Sequence, residues 1–251
     1  MSGHSKWSTI KRKKGAADAK RGQIFTKLAR EIVMAAREGG GDPNANFRLR
    51  LAVDKARLQN MPKDSIDRAI KRGTGESKDG ETFEQITYEG YGPNAVALMI
   101  ECFTENRNRT VAELRHVLSR SGGSLGESGS VAWQFDRVSF FEIPAEGVDF
   151  DKIFEIAVEG GADDVTMEDD LIEVIAPVES FKALSILLDK QGIKFNEAGL
   201  KMVPKQELTL GVEDTLQVMR TIEAVEDLDD VQNVYSNMRI SEEAMAALEE
   251  D

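Results

Sequence analysis

Apolar residues between positions 24 and 37 recur every three or four residues, whereas beyond position 82 the chain shifts towards alternation and short apolar runs. In the first segment Ile24, Phe25, Leu28, Ala29, Ile32, Val33, Ala35 and Ala36 share one broad face at about 100° per residue, which predicts an amphipathic helix. Gly39-Gly40-Gly41 ends it. Asp42 and Pro43 then supply an N-cap and a first-turn proline for a second helix over 44–59, with Phe47, Leu51, Ala52, Ala56 and Leu58 inward. Asn60-Met61-Pro62 interrupts again, and residues 63–72 form a short third helix closed by Gly73.

After a polar linker, segments 82–89 and 95–103 flank Gly90-Tyr91-Gly92-Pro93-Asn94 and read as a hairpin. Thr110, with Glu113 three residues on, forms a capping box ahead of Val111, Leu114, Val117 and Leu118, so a helix runs to about residue 120. Strands are expected at 131–135 and 138–143. A helix at 150–158, paired strands at 164–167 and 171–175, a helix at 178–190 and an extended segment at 193–203 follow. Strand, helix, two strands, helix, strand is the split pattern of a ferredoxin-like domain. A helix at 212–224 and a strand at 230–239 complete a similar unit begun at residue 82.

The expected fold class is therefore α+β: a basic three-helix amino-terminal domain followed by two ferredoxin-like α/β domains, one inserted in the other. The expected divisions are a flexible basic arm (1–22), a helical basic domain with its linker (23–81), a discontinuous α/β domain (82–136 plus 206–251) and the inserted domain (137–205).

Charge changes this picture more than composition does. Residues 1–72 hold 18 Lys+Arg against 7 Asp+Glu, while residues 73–251 hold 14 against 38, so a basic module of net +11 precedes an acidic body of net −24. The whole-chain average of −13 conceals a module suited to a polyanionic partner. The arm contributes Lys6, Lys11, Arg12, Lys13, Lys14, Lys20 and Arg21 with too little apolar material to fold alone. Within it Trp7 is either a base-stacking residue or an anchor against the first helix. On that helix Lys20, Lys27, Arg30 and Arg37 fall within about a 100° arc opposite the apolar face, a cationic stripe diluted by Glu31 and Glu38.

Catalytic signatures are missing from the sequence. His4 and His116 are far apart, and Cys102 is the only cysteine, so no intrachain disulfide can form. Asp163-Asp164 and Glu168-Asp169-Asp170 lack the glycine-bent spacing of a calcium loop and read as a solvated hairpin. No enzyme activity, cofactor or metal is expected. The amino terminus lacks an apolar leader core and no run approaches the roughly 20 residues that span a bilayer, so a cytoplasmic protein with no membrane partner is expected.

Two loops carry further interest. Asn106-Arg107-Asn108-Arg109 opens a helix, where free amides favour anions and two guanidiniums can fork onto phosphate oxygens; alternatively Arg107 and Arg109 offset acids such as Glu101 and Glu105. The Gly/Ser-rich loop at 121–130 is expected to be flexible and to meet a partner.

These residues resemble the YebC/PmpR family. The similarity lies in Gly3-His4-Ser5-Lys6-Trp7, Lys11 to Lys14, Asp18 to Arg21, Phe25-Thr26-Lys27-Leu28 with Arg30-Glu31-Ile32, the Gly-Gly-Asp-Pro-Asn passage at 40–44, Asn60-Met61-Pro62, Asn106 to Thr110, and Leu125-Gly126 through Trp133. The resemblance implies a helical amino-terminal domain plus two α/β domains, one inserted in the other. It implies a regulator of gene expression that binds promoter DNA, or one that associates with the ribosome and its RNA, including relief of stalling at proline-rich stretches; the family also includes a mitochondrial activator of cytochrome oxidase translation. It supplies no catalytic residues.

Overall fold

The structure, a computed structural model, describes residues 18–76, 83–168 and 170–250. Helix α1 (Asp18–Gly39) is followed by α2 (Phe47–Leu58), α3 (Lys63–Gly73), β1 (Glu84–Tyr91), β2 (Ala97–Thr104) and α4 (Arg107–Arg120). Next come β3 (Ser124–Leu125), β4 (Phe135–Pro144), α5 (Phe150–Glu159), β5 (Asp164–Glu168), β6 (Leu171–Pro177), α6 (Phe181–Lys190) and β7 (Glu197–Pro204). The chain closes with β8 (Leu208–Thr209), α7 (Val212–Glu226), β9 (Val231–Ser236), β10 (Met238–Arg239) and α8 (Glu242–Glu250).

Several boundaries differ from expectation for local reasons. Residues 18–22, expected as part of the arm, are already helical in α1. Asp42 closes only a turn, its Oδ1 accepting from the Asn44 amide at 2.9 Å, and the N-cap of α2 is Asn46, which accepts from the Leu49 amide at 3.1 Å. Helix α4 likewise begins three residues before Thr110, because Asn106 caps it by accepting from the Arg109 amide at 3.1 Å.

The chain divides into two compact units, and the boundary falls within α1. One gathers α1 up to Glu31 with Gly75–Asp136 and Pro204–Asp251. Its sheet runs β3-β1-β2-β9 with antiparallel neighbours, β1 and β2 pairing from Glu84 opposite Thr104 to Tyr91 opposite Ala97. Strand β2 is buried along nearly all its length, as its apolar run dictates for a central strand covered on both sides. Leu114 and Leu118 of α4 join Val218 and Ile222 of α7 in one cluster with Leu98, Ile100 and Val234. This unit shares the two-layer helix-on-sheet plan of the ferredoxin-like half but connects its strands differently, with β1 and β2 adjacent as a hairpin and β3 beside β1.

The other unit gathers Ile32–Thr74 with Arg137–Val203. Its sheet order β5-β6-β4-β7 is the strand order of the split pattern, and α5 and α6 bury Ile153, Ala157, Leu184 and Leu188 against Phe141, Ile143, Ile172 and Val174. Phe47 of α2 lies 6.2 Å from the Phe181 ring and 5.3 Å from the Phe195 ring. By packing, α2 and α3 fall in one compact unit with the sheet of residues 137–203. Gly73 ends α3 where only glycine fits: a Cβ there would stand 2.5 Å from the Val33 carbonyl oxygen.

Among the described residues no helix is long and apolar enough to cross a membrane.

Candidate nucleic-acid interface

The candidate residues of α1 do not form one free stripe. Lys6, Trp7, Lys11, Arg12, Lys13 and Lys14 lie outside the described residues; Lys20 and Arg21 lie in the first turns of the helix. Lys27 donates to the Glu226 carbonyl oxygen at the end of α7. Arg30 donates from Nη2 to Asp230 at 3.0 Å and is only 12% exposed. Its guanidinium also sits 5.8 Å from the centroid of the Phe83 ring. Arg37 is exposed near the end of α1, in the other unit. The expectation that Lys27 and Arg30 face outward is thus corrected: the helical period located the arc, but the acidic body supplies partners about 200 residues away for both.

Asp230 organises the start of α4 as well. Its side chain is 1% exposed and receives Arg109 Nη2 at 2.9 Å and 2.8 Å on its two oxygens. The hydroxyls of Thr104 and Thr110 lie 2.9 Å and 2.8 Å from its Oδ2. Burial opposes ionisation of this carboxyl, but hydrogen bonds from Arg109, Thr110 and Thr104 together with the Arg30 charge outweigh it and hold the group below the ordinary Asp range. The anion attracted to this helix start is therefore the protein's own. Arg107 instead pairs with Glu84, Nε to Oε2 at 2.6 Å, with both side chains more than half exposed. The hydrogen-bonded partner of Arg107 is Glu84 and that of Arg109 is Asp230; of the neighbouring acids weighed from sequence proximity, Glu105 adds its charge at Arg109, while Glu101 accepts from Asn233 and Tyr235.

Other cations of the helical segment are also engaged. Arg48 pairs with Glu38, Lys55 with Glu197 at 3.1 Å, Arg57 with Asp54 at 3.2 Å, and Arg50 reaches Asp189 at 3.9 Å while lying 5.1 Å from the Phe47 ring centroid. Exposed ion pairs of this kind each contribute under about 1 kcal/mol, so they are readily exchanged for a phosphate. Arg30 is the exception, because its partner is buried.

The 121–130 loop is more ordered than its composition suggests. Buried Glu89 accepts the Gly129, Val131 and Ala132 amides at 2.6, 2.7 and 2.8 Å. The Gly126 amide donates to the Glu89 carbonyl at 2.8 Å, Tyr91 Oη donates to the Ser130 carbonyl at 3.1 Å, and Ser124-Leu125 pairs with β1 as strand β3. Burial opposes Glu89 ionisation, but these three amides outweigh it and lower its pKa. Cys102 has the opposite fate: desolvation and the nearby Asp230 charge push its thiol up to about 12, which keeps it protonated and unreactive at neutral pH.

Residues 5–76 match the model of the TACO1/YebC protein N-terminal domain, and residues 83–238 match that of the TACO1/YebC second and third domain. The chain belongs to the TACO1/YebC family. A probable transcriptional regulatory protein of Chlorobium phaeobacteroides is 50% identical over 250 residues, covering 99% of this chain and all of that one. One from Geobacter sulfurreducens is 51% identical over 248 residues, with coverage of 99% and 100%. The crystal structure of the conserved hypothetical protein Aq1575 from Aquifex aeolicus superposes with a TM-score of 0.79 at 41% identity, covering 90% of this chain and 93% of that one.

In this member of the TACO1/YebC family the sequence pattern also passed over side chains on α3. Ile66 and Ala69 face inward, while Lys63 and Lys71 stand exposed, with no carboxylate within ion-pair distance among the described residues. The signal was present in the amphipathic period of 63–72, whose polar face carries both lysines.

Proposed function

We propose that the protein is a nucleic-acid-binding regulator of gene expression, acting as a DNA-binding transcriptional regulator through its basic amino-terminal segment. The observation that carries this reading is the charge boundary, net +11 over residues 1–72 against net −24 beyond. The arm, with seven basic residues against the single acid Asp18, supplies most of that excess. Counterion release from phosphates provides sequence-independent affinity for such a segment. Full-length relatives named probable transcriptional regulatory proteins support the regulatory role. Crosslinking the full chain to nucleic acid in cells and sequencing the product tests the reading. Discrete promoter fragments are expected; a product dominated by ribosomal RNA would overturn it in favour of a ribosomal partner.

A further inference from the structure

A cleft of about 330 Å³ opens where the end of α4 meets the middle of α7, lined by Arg120, Ser121, Gly122, Gln217, Arg220 and Thr221. No carboxylate lines it, although residues 73–251 carry 38 acidic side chains against 14 Lys+Arg. Among the described residues neither Arg120 nor Arg220 has a carboxylate oxygen within 4.0 Å. Nor is Arg120 needed to finish its own helix. The Ser121 amide donates to the Val117 carbonyl at 3.2 Å and the Gly123 amide to the Leu118 carbonyl at 2.8 Å, closing the last turn through Gly122 at φ +85°. A Cβ at Gly122 would meet nothing within 4 Å, so this wall is open backbone.

Donors and acceptors are sorted in a telling way. The Ser121 hydroxyl already donates to the Val117 carbonyl at 3.1 Å, and the Thr221 hydroxyl to the Gln217 carbonyl at 3.0 Å. That leaves two guanidiniums and the Gln217 amide as the free donors, a set that matches an oxyanion and gives a cation nothing charged to bind.

We propose that this cleft is a second polyanion contact, in which Arg120 and Arg220 clamp one phosphodiester group of a nucleic-acid backbone while the arm holds a separate stretch. The inference rests on the nucleic-acid-binding reading above and extends it to the acidic body.

The test uses the full chain, an R120Q/R220Q variant, an R120K/R220K variant, and an arm variant with Lys11, Arg12, Lys13 and Lys14 changed to Gln. Inorganic phosphate, a single-stranded RNA 16-mer and a 16-base-pair DNA duplex are titrated separately, following chemical shifts for phosphate and fluorescence anisotropy for the oligonucleotides. Phosphate should perturb the Ser121, Gly122 and Gln217 resonances of the wild type and of the arm variant, but not those of R120Q/R220Q. The magnitude of the salt-dependence slope for the preferred oligonucleotide should fall by about 1 in R120Q/R220Q, since one phosphate contact is lost, and be largely restored in R120K/R220K. The stronger slope loss, on RNA or on DNA, identifies the source of the phosphate. Phosphate shifts that persist in R120Q/R220Q, or an unchanged slope on both oligonucleotides, overturns the cleft. If the slope is unchanged there while the arm variant loses binding, the cleft fails and the arm-based reading stands; if the arm variant also binds unchanged, both fail.

Discussion

Replacing Asp230 by Asn tests the buried junction that fixes both Arg30 and Arg109. The substitution keeps the shape of the side chain but removes the charge and turns one acceptor into a donor that faces two guanidiniums. Arg30, 12% exposed, then loses its carboxylate where water reaches it poorly, whereas Arg109, 50% exposed, can turn to solvent. Breaking a buried pair costs about 3–5 kcal/mol, and the isosteric Asn places the expected loss near 3 kcal/mol. For a chain of this size that is a fall in Tm of roughly 6–12 °C. Arg109→Ala should cost about 1 kcal/mol or less. Urea unfolding followed by circular dichroism, with an Arg30→Met and Asp230→Asn double-mutant cycle, measures the coupling, expected at about 1–3 kcal/mol. A coupling under about 0.5 kcal/mol, or an Arg109→Ala loss as large as that of Asp230→Asn, would refute the junction. The pH dependence has a definite sign. The folded carboxyl titrates below its ordinary value of 3.8, so its contribution is complete above that value and is lost as pH falls through the depressed folded pKa. The stability gap between wild type and Asp230→Asn should therefore be constant near neutrality and shrink as the pH is lowered below about 4.

Glu89→Gln should leave at least one of the Gly129, Val131 and Ala132 amides poorly satisfied, lowering stability by about 1–3 kcal/mol and accelerating hydrogen exchange at those amides before any global change; unchanged exchange would deny the clasp. Phe47→Ala should cost about 2–4 kcal/mol, because it removes the ring that meets Phe181 and Phe195; a loss under about 1 kcal/mol in urea unfolding would contradict the shared unit. Leu58→Ala, at a site 80% exposed, should change stability by no more than about 0.5 kcal/mol, and a core-sized loss would restore the inward position expected from its helical period.

Leu58 also shows what the chain pattern could not convey. Its neighbours Ala52 and Ala56 are buried as the period requires, but Leu58 is the last residue of α2, beyond the contact. Local rules located α1, the β1-β2 hairpin and the strand–helix alternation of 137–205, because periodicity, glycine and proline act over a few residues. Long-range pairing had no such signature. Asp230 follows Asp229 in a tract of acids and looked like any of them, yet it is the buried member, facing Arg30 and Arg109 from two distant elements. Glu89 looked like a strand's polar residue, and only the fold shows the loop amides converging on it. The 121–130 loop was accordingly read as flexible from its glycines, while a carboxylate 40 residues earlier in the chain orders its end. Helix α8 carried too little apolar period to be anticipated, although Ala244 and Met245 reach the core.

The central claim, that the basic amino-terminal segment carries nucleic-acid binding, is tested most directly on the intact chain, since Ile32–Thr74 packs with Arg137–Val203 and cutting there would confound folding with binding. Changing Lys11, Arg12, Lys13 and Lys14 to Gln and measuring duplex affinity across a salt series isolates the charge. The magnitude of the log–log slope should fall by about 3–4, with weaker binding to every duplex sequence and an unchanged Tm. A slope and affinity equal to wild type would contradict the claim.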